Sequence, residues 1–118
     1  FEIVPEHLPE LHRYIYAQPW AGEYEVVPSS VYLLELTAKG ASKGEMVRRL
    51  AGLLDISMAH VYCVGDHAND IGMLRASAIP FAPENAIEPV RQVPGIHILP
   101  DARQGAIAAM IRELDQRY

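Results

Sequence analysis

Leu8, Leu11 and Ile15 recur at the spacing of one helical face, which predicts a helix over 8–17. Pro9 lies in its first turn, where a missing amide donor costs nothing, and Pro19 and Gly22 mark its end. Two runs rich in β-branched and aromatic residues come next, 23–27 and 31–36, with Pro28, Ser29 and Ser30 between them as a turn. Residues 1–38 therefore read as a helix plus an antiparallel hairpin, with 37–40 leading out of it as a linker.

From residue 39 onward the pattern changes. Ser42 and Glu45 form an S-x-x-E capping box ahead of Met46, Val47, Leu50, Leu53 and Leu54, which share a helical face. Residues 61–64 are a short apolar run closed by Gly65, expected to be a strand buried on both faces, with Gly65 freeing the backbone to turn. Ile71 and Leu74 begin a second helix, and 78–82 is a second strand. Asn85 is placed to cap a short helix carrying Ile87 and Val90, and 96–99 is a third strand. Asp101, with Gln104 at the box position, is placed to cap a last helix whose apolar face is Ile107, Met110, Ile111 and Leu114. Strands alternating with helices predict an α/β fold, a partial Rossmann-like parallel sheet with flanking helices over 39–118. Three strands are few for an open sheet of this kind, whose usual size is about five.

Composition narrows the picture. Half of the 118 residues are hydrophobic and 21% are charged, which excludes general disorder. No apolar run approaches the ~20 residues that span a bilayer, so no membrane partner is expected. The formal net charge is -5 and no basic stripe is present, which argues against nucleic acid. The single cysteine, Cys63, has no partner for an internal disulfide, which fits a reducing, cytoplasmic setting.

Candidate chemistry gathers where an open α/β sheet binds ligands, beyond the carboxyl ends of its strands. Asp66 falls at the end of the 61–64 strand, and Asn69 and Asp70 stand at the start of the next helix. Two carboxylates in one cleft repel unless a cation or a shared proton joins them. Hard oxygen donors beside an amide suit Mg²⁺, which keeps waters and completes its shell with a substrate phosphate. A plainer account stays open, since Asp and Asn also serve as helix caps and turn residues. Lys43, within Gly40-Ala41-Ser42-Lys43-Gly44, stands at a helix start, where a cation is mildly unfavourable unless it neutralises a bound anion. The alternative is an exposed surface lysine. The string is not a P-loop, because no Ser or Thr comes after the lysine. His67 borders the same loop and reads as solvated, and Cys63 reads as a small core residue. The five histidines lack metal-ligand spacing, and Ser29 and Ser30 lack a nucleophile-elbow context.

Taken together, S-K-G at 42–44, then G-D-x-x-N-D-x-x-M-L at 65–74, then the Asn85-Ala86 pair resemble the carboxyl-terminal part of the haloacid dehalogenase superfamily. The resemblance is to its Cof-like, subfamily IIB phosphatases and covers residues 31–118. It implies that Lys43 binds the phosphoryl group, Asp66 ligates Mg²⁺, and Asn69 helps hold phosphate. It also implies that Asp70 supports the metal shell or orients the lysine. Residues 1–38 would be the tail of an α/β cap, and 39–118 the carboxyl-terminal half of the core. The substrate would be a small phosphate monoester such as a sugar phosphate, hydrolysed through an aspartyl-phosphate. The D-x-D segment that supplies the family's nucleophile is absent from this sequence. These residues by themselves are therefore expected to be inactive. The other reading is a non-catalytic fragment that self-associates, or binds a partner, through an unpaired sheet edge.

Overall fold

The computed structural model describes residues 1–118. Helix α1 (Leu8–Tyr16) forms where the spacing predicts it, with Pro9 in the first turn. Ile15 is its buried residue and packs with Val26 and Leu34 from strands β1 (Tyr24–Pro28) and β2 (Leu34–Ala38). The two strands are antiparallel, with Val26 opposite Leu36 and Val27 opposite Glu35.

The hairpin departs from the pattern in one respect. Strand β2 begins at Leu34, and Val31, Tyr32 and Leu33 lie in an exposed loop despite their strand-like composition. The amino-terminal residues run beside that loop: the Ile3 amide donates to the Tyr32 carbonyl at 2.9 Å, and the Phe1 ammonium to the Leu34 carbonyl at 2.8 Å. Thr37 and Ala38 consequently belong to the strand, and the linker moves to 39–42, turning at Gly40 with φ +79°. Side chains alternate along β2. Leu34 and Leu36 face α1, which sends Glu35 and Thr37 to the opposite face.

Helix α2 (Lys43–Leu53) starts as the capping box requires, with the Ser42 hydroxyl accepting the Glu45 amide at 3.3 Å. Strands β3 (Tyr62–Val64), β4 (Ile79–Pro83) and β5 (His97–Leu99) form a parallel sheet in the order β3-β4-β5. Helices α3 (Ile71–Ala76) and α4 (Glu88–Arg91) lie between the strands, and α5 (Ala106–Asp115) comes after the last. On one face, Cys63 and Ala82 pack with Leu74, Ala86, Val90 and Val93, and Val47 of α2 leans on them. On the other, Phe81 and Leu99 pack with Ala106, and Met110 and Leu114 of α5 complete the layer.

Five expectations are corrected. β3 is an edge strand rather than one buried on both faces: Cys63 is buried, while Tyr62 and Val64 are half-buried. The apolar face of α2 is mostly in solvent, with Leu53 84% exposed and Met46, Leu50 and Leu54 also exposed. Asp101 does not cap the last helix. Its carboxylate accepts the Arg103 amide at 2.9 Å, capping a 3-10 turn, and Gly105 at φ +85° breaks the chain before α5 begins. Helix α5 then turns Ala106, Met110 and Leu114 inward and leaves Ile107 and Ile111 exposed. Asn85 does not cap α4 either. Its Oδ1 accepts the Ala102 amide at 3.1 Å, tying the exit of β4 to the exit of β5.

Candidate functional site

The exit of β3 is organised by one buried acid. Asp70, 5% exposed, ends a 3-10 turn (Ala68–Asp70) that leads into α3. Its Oδ2 accepts the Asp66 amide at 3.0 Å and the His67 amide at 3.1 Å. Its Oδ1 accepts the Lys43 Nζ at 2.6 Å. One side chain thus folds the 65–70 loop back on itself and fastens it to the start of α2. Burial pushes the Asp70 carboxyl up, but hydrogen bonds from Lys43 and the two loop amides outweigh it. The net result is a carboxyl held below the usual carboxylate range and charged at neutral pH.

Two glycines make this packing possible. A Cβ on Gly65 would lie 2.5 Å from Cβ of Asp70 and 2.8 Å from its Cγ. Gly65 is not among the residues at positive φ, so the expected freedom to turn is not its use; the buried acid occupies the space beside it. A Cβ on Gly44 would lie 2.7 Å from the carbonyl carbon and oxygen of Gly72. The first turn of α2 therefore rests directly on the backbone of α3. That close approach brings Lys43, the residue before Gly44, over Asp70.

About half of the Lys43 side chain remains exposed. It opens into a cleft of about 80 Å³ lined by Ala41, Ser42 and Asn69, and by Val27, Glu35 and Thr37 from the hairpin. Asp66 lies in a neighbouring hollow of about 190 Å³ at the ends of β3 and β4, with Val64, Pro83, Ala102 and Ile107. The loop contributes to both hollows. The Asp66 carbonyl accepts the Ile87 amide at 3.1 Å, while its exposed carboxylate has no hydrogen bond or ion pair within the chain.

Of the residues singled out from sequence, Lys43 and Asp70 are in direct contact, Asn69 shares the cleft with Lys43, and Asp66 is joined to them through its backbone. His67 anchors the loop by its amide, and its Nδ1 is buried without a partner. Cys63 sits in the core, where burial pushes its thiol up, away from a reactive thiolate. Glu35 and Thr37 were not singled out from sequence. The signal for them was the alternation along β2, which turns them away from the Leu34 core just ahead of S-K-G.

No three His, Cys, Asp or Glu side chains lie close enough together to hold a metal ion. Both oxygens of Asp70 accept hydrogen bonds within the protein, whereas the Asp66 carboxylate accepts none and is a hard-oxygen donor open to a cation. A single carboxylate of this kind fits Mg²⁺, which is commonly held by one or two carboxylates together with waters and substrate phosphate. An ammonium fixed by a buried acid, together with a side-chain amide, suits the binding of a phosphoryl group, and the uncommitted carboxylate would add to this only through a bound cation.

Known proteins resemble this chain in sequence and in fold. A family model described as haloacid dehalogenase-like hydrolase matches residues 4–111. Phosphatase YwpJ of Bacillus subtilis is 33% identical over 94 residues, covering 80% of this chain and 33% of that protein. A phosphoglycolate phosphatase of Metallosphaera sedula is 36% identical over 80 residues, covering 67% of this chain and 36% of that protein. Among solved structures, a haloacid dehalogenase-like hydrolase from B. subtilis superposes with a TM-score of 0.83 at 28% identity, covering 92% of this chain and 37% of that one. The chain spans about a third of the length of the curated relatives it matches.

Proposed function

The chain belongs to the haloacid dehalogenase-like hydrolase family, and from that membership we propose that it is the phosphoryl-binding part of a Mg²⁺-dependent phosphatase acting on a small phosphate monoester. The observation that carries the reading is the Lys43–Asp70 contact of 2.6 Å, made at the exit of β3 in a cleft shared with Asn69. Lys43 neutralises the phosphoryl oxygens, Asp70 keeps the ammonium aimed, and Asn69 donates its amide hydrogens. Asp66 holds Mg²⁺, which when bound adds positive charge beside the phosphoryl group. Of the two roles left open for Asp70, orienting the lysine is favoured, because Oδ1 accepts the Lys43 ammonium directly and Oδ2 is taken up by two loop amides.

The nucleophile comes from polypeptide outside these residues, since the sequence has no D-x-D. Its carboxylate attacks phosphorus and expels the alcohol, and water then cleaves the aspartyl-phosphate to give inorganic phosphate and restore the acid. Its strand pairs along the free edge of β3. Residues 1–38 serve as the tail of a cap over residues 39–118 of the core, and the 118 residues by themselves are inactive. The test is hydrolysis of p-nitrophenyl phosphate and a panel of sugar phosphates by the complete protein, with and without Mg²⁺. Activity is expected to need the metal and to fall by at least about a hundredfold in Asp66→Ala. An Asp66→Ala enzyme with full Mg²⁺-dependent activity would refute the role given to Asp66.

One observation favours a second reading, association with another chain. Beside the free edge of β3 lies a wholly apolar hollow lined by Val47, Leu50, Ala51, Leu54, Ile56 and Val61. An unpaired edge next to exposed apolar surface is a template for pairing. Sedimentation of the 118-residue chain as a folded monomer at high concentration would remove this reading.

A further inference from the structure

The hairpin sets a carboxylate across the cleft from the groups that receive phosphate. Glu35 and Thr37 lie two residues apart on the β2 face turned away from the Ile15–Leu34 core, and both line the cleft that holds Lys43, Ser42 and Asn69. Glu35 makes no ion pair. The one cation in the lining is Lys43, and Asp70 already compensates its charge. The wall facing the phosphoryl site is therefore negative and uncompensated, with a hydroxyl beside it.

Resting on the phosphatase reading above, we infer that Glu35 is a specificity-determining residue that sorts phosphate esters by the charge of the group esterified to the phosphate. A phosphoryl group held by Lys43 and Asn69 leaves the rest of the ester facing Glu35 and Thr37. A polyhydroxylated, uncharged remainder donates hydrogen bonds to the Glu35 carboxylate and exchanges them with the Thr37 hydroxyl. A remainder ending in a carboxylate meets a like charge and finds no cation in the lining besides Lys43, which the phosphoryl group and Asp70 already occupy. The cleft consequently takes sugar phosphates and turns away esters such as phosphoglycolate.

The test uses the complete protein and three esters: a hexose 6-phosphate, 2-phosphoglycolate, and p-nitrophenyl phosphate as each variant's internal reference. With kcat/KM normalised to that reference, the wild type is expected to prefer the hexose phosphate by at least about tenfold. Glu35→Gln narrows this preference by about threefold to fivefold, and Glu35→Lys by at least about tenfold, with both shifts read mainly in KM. Two variants that keep the wild-type preference while still turning over the reference would overturn the inference and leave the phosphatase reading intact. A wild type that hydrolyses none of the three esters would overturn the phosphatase reading, and this inference with it.

Discussion

Strands β3 and β4 are both short, apolar and parallel, yet the sheet treats them differently. β4 lies in the middle, with Phe81 and Ala82 fully buried between layers of helix. β3 lies at the edge, half-buried at both ends, and its exit carries the candidate chemistry. The fully buried side chains of the sheet layers, Phe81, Leu74 and Val90 among them, are none of the candidate site residues. The site, in turn, borders an edge that has no neighbour and a helix whose apolar residues point into solvent. An α/β site normally collects groups from strands on both of its sides. Here one side is present, in keeping with a chain that spans about a third of its curated relatives.

That contrast can be broken most directly in the core. Phe81→Ala removes the largest fully buried side chain and is expected to cost about 3–5 kcal/mol, whereas Val64→Ala on β3 costs about 1 kcal/mol. Equal shifts in the urea midpoint would erase the distinction between centre and edge. Gly44→Ala comes next. Its methyl would force α2 away from the Gly72 carbonyl, at about 1–3 kcal/mol, and would separate Lys43 from Asp70. Phosphatase activity of the complete protein should fall further than that loss of stability accounts for, and unchanged kcat/KM would count against the placement of Lys43.

Asp70→Asn sharpens the comparison through pH. The folded carboxyl is held below its ordinary value, so its contribution is fully present above the ordinary carboxylate pKa and is lost as pH falls through the lower folded value. The partner ammonium is half exposed, and the expected loss is therefore about 1–2 kcal/mol at neutral pH. It should shrink below about pH 4 in acid-unfolding curves followed by circular dichroism. A difference that stays constant to low pH would mean that the charge of Asp70 is not what matters. The smallest effect is expected from Leu53→Lys on the exposed side of α2, within about 0.5 kcal/mol by denaturant. Any self-association of the 118-residue chain should nevertheless weaken in sedimentation.

The order of elements and the parallel sheet were legible because each rests on local pattern, whereas the meeting of Lys43 with Asp70, 27 positions apart, was implied only by the family resemblance. Capping by Ser42, alternation of strand and helix, and a turn closing an apolar run all act over a few residues. The burial of α2 was not legible. Met46, Leu50, Leu53 and Leu54 form a correct helical stripe, but a stripe does not say which neighbour covers it, and none of these residues reaches the core. Asn85 misled for a related reason: its partner is the Ala102 amide, seventeen positions away, where capping rules look only to the next turn. Gly65 read as free to turn from sequence and Gly44 carried no reading, and only the packing of Asp70 and Gly72 against them reveals two steric contacts.

The four-residue connector at 39–42, which ends on the Ser42 cap, joins β2 directly to α2. The wall bearing Glu35 and the ammonium of Lys43 thus belong to one short, continuous stretch of backbone. Gly40, in its left-handed conformation, sets the angle between them. Inserting or deleting a residue in that joint would re-aim both at once, so the gap between the anchoring charge and the selecting one is dictated by chain connectivity as much as by side-chain choice.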